Sequence, residues 1–195
     1  TNGYHALDGL STHMTPYAKK SIIEAETNTM PSKNANASYL RSFVFGVEDS
    51  LSSTVGLLSG LAIAGVARDT IFVTGIILIL VEAVSMGIGD FLSEHASEEY
   101  LRHKEVSSRR SFFDAIIMFF SYIVAGIVPL APYLFFPVGT ALFVSASFSL
   151  AALFFLGVVS AHFSGLPLLK NGARTFAIGG AATAVGIVIG LTVKL

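Results

Sequence analysis

Long apolar segments are the feature of this chain that most limits what it can fold into. Five stretches approach the roughly 20 residues that an α-helix needs to cross a bilayer, and charged residues make up only 13% of the sequence. The predicted spans are residues 42–66, 70–91, 112–128, 138–161 and 173–193. We therefore expect an all-α, polytopic membrane protein with a polar N-terminal tail over residues 1–39 and a five-helix transmembrane domain over residues 40–195.

The basic residues are distributed unevenly between the predicted loops. Ten of the twelve Lys and Arg residues fall before span one, between spans two and three or around the start of span five, whereas Arg68 and Lys194 lie on the opposite side. The positive-inside rule then predicts a cytoplasmic N-terminus and a C-terminus outside the cell or in an organelle lumen. The tail has no apolar core typical of a signal peptide, which favours a microbial plasma membrane, with a vacuolar-type membrane as the alternative.

Composition also excludes several classes of function. Cysteine is absent, so disulfides, thiolate metal sites and cysteine nucleophiles are excluded. The net charge of −1 does not favour nucleic acid as a partner. Histidine is nearly absent from the predicted spans, and di-iron and zinc enzymes generally combine histidine with carboxylates. We therefore do not expect an enzyme, and we expect no permanently bound cofactor.

Acidic residues interrupt the first two apolar segments. Glu48 and Asp49 lie in the first, and Glu82 and Asp90 lie in the second. At a rise of ~1.5 Å per residue, both Asp49 and Glu82 lie about 12 Å from the cytoplasmic face, so neighbouring antiparallel helices bring them to one level. Carboxylates in a bilayer core are costly and usually mark an ion or proton path. A structural role remains the alternative, although spans one and two contain no Lys or Arg to pair with these acids.

A methionine lies between the two acids of the second span. Glu82, Met86 and Asp90 follow one another at intervals of four residues, which keeps them on one side of a helix. Asp49 and either Ser52 or Ser53 are expected to face them. Oxygen ligands alone suit Mg²⁺, Ca²⁺ or Mn²⁺, whereas an added thioether favours a softer ion such as Fe²⁺. Glu48 points roughly 100° away from Asp49, so the two side chains need not face the same site.

A polar, acidic segment follows the second span. Its candidate metal-collecting residues are Glu94, His95, Glu98, Glu99, His103 and Glu105. If the helix continues, His95, Glu99 and His103 share a face. The alternative is a charged, solvated helix end in which Glu98 and Arg102 form a pair four residues apart.

Two pairs of glycines have the spacing of helix-packing motifs. Gly56 and Gly60 lie in the first span, and Gly186 and Gly190 lie in the fifth. Small residues at this spacing let helices approach closely. The pattern predicts either packing within one chain or a seam between two chains.

Several motifs resemble those of the vacuolar iron transporter family. Residues 45–54 (FGVEDSLSST) resemble its first-span motif, and residues 85–93 (SMGIGDFLS) resemble the second, which is the most specific of the set. Residues 128–133 (VPLAPY) are similar to its proline-rich break after span three, and residues 165–190 to its last loop and Gly/Ala-rich span. The resemblance covers about residues 40–195.

The resemblance implies a five-helix homodimer that exports Fe²⁺ or Mn²⁺ from the cytosol, in exchange for protons. By position, Asp49 and Met86 match the family's metal residues within the membrane, and Asp90 matches a position that is commonly acidic. Glu82 has no such match, so its role rests on depth. The best-known members have a Glu-rich helical domain between spans two and three, of which this chain retains only about residues 94–110.

Two functions follow from these observations. The first is a divalent metal-ion transporter whose partners are the bilayer, metal ions, protons and a second copy of the chain. The alternative is a non-transporting membrane scaffold or regulatory protein of the same fold, in which the acids are structural.

Overall fold

The structure is a computed structural model that describes residues 16–193, with the surroundings of side chains from residue 36 onward. Within this range all regular structure is α-helical. The six helices are α1 (Pro16–Ile63), α2 (Arg68–Arg102), α3 (Arg109–Leu130), α4 (Pro132–Phe135), α5 (Val138–Ser164) and α6 (Leu168–Thr192). The chain divides into two compact units, Thr1–Ser38 and Tyr39–Leu195. The second unit contains all of the features described below.

Four segments of the described chain are long and apolar enough to cross a membrane. They are Arg68–Arg102, Arg109–Phe135, Val138–Ser164 and Leu168–Thr192. The prediction of an all-α polytopic membrane protein is therefore confirmed. The predicted first span lies in the last part of α1, where acids and serines lower the hydropathy, and its crossing stays a prediction. The orientation of the termini also stays a prediction from the charges of the loops.

The chain breaks as expected between the third and fourth spans and between the fourth and fifth, but two helices extend into these breaks. Pro129 lies inside α3, and the Ser145 hydroxyl donates a 2.7 Å hydrogen bond to its carbonyl oxygen, which gives the end of that helix a partner from α5. Asn171 and Gly172 lie inside α6 rather than in a loop. The turn before α6 is tight because Gly165 takes a left-handed conformation (φ 66°), which ends α5 directly.

Helices α1, α2 and α3 pack closely around the Tyr122 side chain. Tyr122 is fully buried in a core that also contains Leu58, Ile79 and Ala83. Gly126 lies at a close approach of these helices: a Cβ there would lie 2.7 Å from the Cγ1 of Ile79 on α2. A residue without a side chain at this point lets the polar residues of α1 and α2 come near α3.

The two glycine pairs pack against each other within one chain. A Cβ at Gly60 would lie 2.8 Å from the carbonyl oxygen of Gly186, and a Cβ at Gly56 would lie 3.0 Å from that of Ala182. A Cβ at Gly190 would collide with the Gly60 carbonyl. These contacts join α1 to α6, so the motifs serve packing within the chain.

Candidate functional site

Three helices bring polar side chains together inside the packed core. Asp49 on α1 and Glu82 on α2 are half-buried and lie close enough for their carboxylates to repel each other. Both also interact electrostatically with the Tyr122 hydroxyl on α3. Asp49 and Glu82, which were predicted to lie at the same depth, are therefore close to each other in the structure. We call Asp49, Ser53, Glu82 and Tyr122 the inner site.

Hydrogen bonds hold Tyr122 in the inner site. Its hydroxyl lies 2.9 Å from the Oγ of Ser53, one helical turn after Asp49. Its backbone carbonyl accepts a 2.6 Å hydrogen bond from the Ser50 hydroxyl. Of the two serines expected to face the acids, Ser53 has this contact. The Ser52 hydroxyl is buried and has no hydrogen-bond partner among the described residues.

Sequence reasoning did not single out Tyr122. The signal that was available is its phenolic hydroxyl in an otherwise apolar segment, since a buried tyrosine usually has a hydrogen-bond partner. Its partner is 69 positions away in the chain, so the segment alone does not show that the hydroxyl faces the acids.

The inner site carries two formal negative charges without a base beside them. Among residues 36–193, no ion pair involves Asp49 or Glu82. Two uncompensated carboxylates away from bulk water attract a cation or take up protons.

A cavity of about 460 Å³ lies on the side of α2 that carries Met86 and Asp90. Its lining includes Arg41, Ser42, Met86, Asp90, Ser93 and Met118. We call it the Met86 cavity. Met118, on α3, adds a second thioether to that of Met86. Its neighbours in the sequence are apolar and do not indicate that Met118 lines a cavity.

Asp90 is buried and held by two residues of α1. The Ser42 hydroxyl donates a 2.7 Å hydrogen bond to Oδ2, and an Arg41 guanidinium nitrogen lies 3.2 Å from Oδ1. The same nitrogen lies 3.0 Å from the Glu94 carboxylate. Arg41 lies just before the predicted first span, and no base was expected for the acids of α2 because spans one and two contain no Lys or Arg. For Asp90 that view was wrong, because the base is supplied from α1.

Arginines also surround the next acids of α2. Arg110 lies 2.9 Å from Glu98 and 3.7 Å from Glu94, and Arg102 lies 3.9 Å from Glu98. The predicted pair of Glu98 and Arg102 is therefore confirmed. The set is called the arginine network below, and its members are Arg41, Asp90, Glu94, Glu98, Arg102 and Arg110.

The remaining candidate metal-collecting residues lie beyond this network. His95 Nε2 is 3.4 Å from Glu99 Oε1, and the His95 ring stacks on Phe91. Helix α2 ends at Arg102, with His103 in a left-handed conformation (φ 50°), so the predicted helical face does not extend to His103. His103 and Glu105 are exposed. Within the described range, no group of three or more His, Asp or Glu side chains has the arrangement of a metal site.

Glu48 faces away from the inner site. It lines a small cavity of about 90 Å³ together with Ser160, Asn171 and Thr175 of α5 and α6. Arg174 lies near enough to attract its carboxylate. The expected angular separation of Glu48 and Asp49 thus places them on different surfaces of α1.

Comparison with known proteins connects these features to one family. The family model described as the VIT family matches residues 40–113 and 103–191, which include the inner site, the Met86 cavity and the arginine network.

Curated relatives are more distant but match over most of their length. Vacuolar iron transporter 1 of Tulipa gesneriana is 23% identical over 80% of this chain and 87% of its own. Vacuolar iron transporter 2 of Oryza sativa subsp. japonica is 25% identical over 74% and 83%, and vacuolar iron transporter 1 of Arabidopsis thaliana is 22% identical over 80% and 86%. Because the family model covers well over half of the sequence, this multi-pass membrane protein belongs to the VIT family.

Proposed function

We propose that this protein transports a divalent metal ion, Fe²⁺ or Mn²⁺, out of the cytosol in exchange for protons. The observation that carries the proposal is the inner site: Asp49 and Glu82 come from different helices of the membrane-crossing domain, and among residues 36–193 neither has an ion-pair partner. Such acids usually belong to an ion or proton path.

The charge of the inner site suits a divalent ion. Two ionised carboxylates compensate a charge of +2, and the hydroxyls of Ser53 and Tyr122 add oxygen donors beside them. Oxygen donors of this kind suit Mn²⁺ and Fe²⁺. In the absence of metal, protonation of the carboxylates avoids two buried negative charges. Metal and protons therefore compete for the same oxygen atoms, which is a physical basis for exchange.

Met86 and the Met86 cavity extend the path along α2. Met86 lies one turn after Glu82, and Asp90 lies one turn further. The thioethers of Met86 and Met118 favour Fe²⁺ over harder ions such as Mg²⁺. On α2, Met86 thus lies between the acid that lines the cavity, Asp90, and the acid of the inner site, Glu82.

The curated relatives support iron as the substrate, since each is named a vacuolar iron transporter. The export direction, proton exchange and the homodimer are inferred from the family resemblance. The many exposed large apolar side chains of the described helices provide surface for lipid and for a second copy.

The test is uptake of Fe²⁺ and Mn²⁺ into proteoliposomes, with and without a pH gradient, for the wild type and for Asp49→Asn. The variant keeps the size of the side chain but removes its charge. Asp69→Asn is the matched control, because Asp69 is an exposed acid at the start of α2, with 92% of its side chain accessible. We expect gradient-driven uptake by the wild type and the control, and loss of uptake in Asp49→Asn.

Other outcomes would change the proposal. Uptake that is independent of the pH gradient would remove proton exchange but keep metal transport. No uptake by a folded wild-type protein would favour a non-transporting scaffold, for which the arginine pairing of Asp90, Glu94 and Glu98 is already an example of structural acids.

A further inference from the structure

The guanidinium group of Arg41 lies at the edge of the Met86 cavity. One of its nitrogens contacts two carboxylates, Asp90 at 3.2 Å and Glu94 at 3.0 Å. These two acids are one turn apart on α2, so their side chains share a face. The Arg41 charge thus occupies the position between two carboxylates where a free cation would otherwise be attracted.

The cavity behind Arg41 has the donors of a metal site. Its lining residues include two methionines, Met86 and Met118, together with Asp90, Ser42 and Ser93. Asp90 is only 9% exposed, so its carboxylate faces the protein rather than solvent. A mixed set of thioether and oxygen donors suits a first-row divalent ion better than Na⁺ or K⁺.

Each of the two acids keeps one polar partner when Arg41 leaves, although Asp90 loses its charged one. The Arg41 side chain is 55% exposed, and arginine has a long, flexible stem. When Arg41 moves away, Asp90 keeps its hydrogen bond from Ser42, and Glu94 keeps Arg110 at 3.7 Å. Displacement therefore costs much less than breaking an isolated buried pair.

We propose that Arg41 is a tethered cation that closes the Met86 cavity, and that a divalent metal ion enters by displacing its guanidinium from Asp90 and Glu94. That the entering ion is the metal being transported rests on the proposed function. A divalent ion is attracted to the two carboxylates about twice as strongly as a monovalent ion at the same distance. Arg41 thus acts as an internal competitor that selects divalent over monovalent cations.

The proposal is tested by the binding of Mn²⁺ to the purified full-length protein in nanodiscs, followed by loss of the electron paramagnetic resonance signal of free Mn²⁺. We expect Arg41→Gln to bind Mn²⁺ about tenfold more tightly than the wild type, because a competing charge is removed from the two carboxylates. The double variant Arg41→Gln/Asp90→Asn should lose this gain.

Arg102→Gln is the matched control. Arg102 belongs to the same network and has a similar side-chain exposure of 52%, but it contacts Glu98 rather than Asp90 or Glu94. Its replacement should leave Mn²⁺ affinity unchanged. The proposal is overturned if Arg41→Gln binds no more tightly than the wild type, if Arg102→Gln gains as much, or if the gain survives loss of the Asp90 charge.

A milder variant keeps the test decisive if Arg41→Gln does not fold. Arg41→Lys retains the charge but has a compact ammonium group in place of the planar guanidinium. The lysine side chain should bridge the two carboxylates less well, so this variant should bind Mn²⁺ about threefold more tightly than the wild type. Unchanged affinity in a folded Arg41→Lys protein would then overturn the proposal.

Binding and transport are measured separately, so the two proposals can fail independently. A gain in binding that depends on Asp90, in a protein without metal flux, would keep the role of Arg41 and reject transport. Flux in the wild type without any change in binding by the Arg41 variants would keep transport and reject the role of Arg41.

Discussion

The acids of the inner site and those of the arginine network differ in what surrounds them. At the inner site, Glu82 and Asp49 have hydroxyls beside them and, among residues 36–193, no ion-pair partner. In the arginine network, which begins only two turns further along α2, every acid contacts a guanidinium group. Position in an apolar helix therefore does not decide what a carboxylate does; the charge supplied by neighbouring helices does.

The difference has an energetic consequence. A carboxylate paired with arginine is compensated within the protein, and removal of either partner leaves an unpaired charge. Uncompensated carboxylates destabilise the fold in their ionised form and gain most from a bound cation or proton. The two regions should therefore respond in opposite ways to the same type of substitution.

The largest expected effect is on metal uptake, which should fall much more for a variant of the inner site than for a variant of the arginine network. Glu82→Gln should lower Fe²⁺ and Mn²⁺ uptake into proteoliposomes by about 100-fold, because it removes half of the charge that compensates the ion. Glu94→Gln, on the same helix, should lower uptake by less than about tenfold, because its carboxylate already has arginine partners. Equal losses in both variants would remove the distinction between the regions.

The free energy of unfolding should show the reverse order, with the larger loss for a variant of the arginine network. Glu98→Gln is expected to lower the free energy of unfolding by about 1–3 kcal/mol, because Arg110, 2.9 Å away, loses one of its charged partners in a largely buried setting. Asp49→Asn should leave stability unchanged or raise it, because a half-buried, uncompensated charge disappears. Thermal unfolding in detergent at neutral pH, without metal, measures both. A clear loss of stability in Asp49→Asn would indicate a structural role for that acid.

Tyr122→Phe tests the hydroxyl side of the inner site. Loss of the hydrogen bond with Ser53 should cost about 1 kcal/mol of stability and reduce metal uptake about tenfold, because one oxygen donor beside the carboxylates is removed. Ser53→Ala removes the other member of the pair but keeps the phenol, so it should reduce uptake less. Wild-type uptake by Tyr122→Phe would restrict Tyr122 to core packing.

The smallest effect is expected at the solvent side of the arginine network. Arg102 lies 3.9 Å from Glu98, and half of its side chain is exposed. Arg102→Gln should change the free energy of unfolding by ~0.5 kcal/mol or less, and salt should weaken even this contribution. Thermal unfolding at low and high ionic strength provides the measurement. A loss as large as that of Glu98→Gln would show that the network acts as one unit.

Much of the fold could be predicted because the relevant signals are local. Length and hydropathy identify membrane-crossing helices within single segments, and the four-residue spacing of Glu82, Met86 and Asp90 places them on one side of α2. The helix ends were less predictable. Pro129 remained inside α3 near its end, and the Ser145 hydroxyl supplies a hydrogen bond to its carbonyl oxygen.

The sequence by itself determined that this chain crosses a membrane and that acids lie within its apolar helices, since composition and periodicity are properties of single segments. Only the tertiary structure decided which acids are compensated. Arg41 and Asp90 are 49 positions apart, and Ser53 and Tyr122 are 69 positions apart. Electrostatic pairing depends on distance in space, and that distance was set by the close packing of α1, α2 and α3 around small residues such as Gly126.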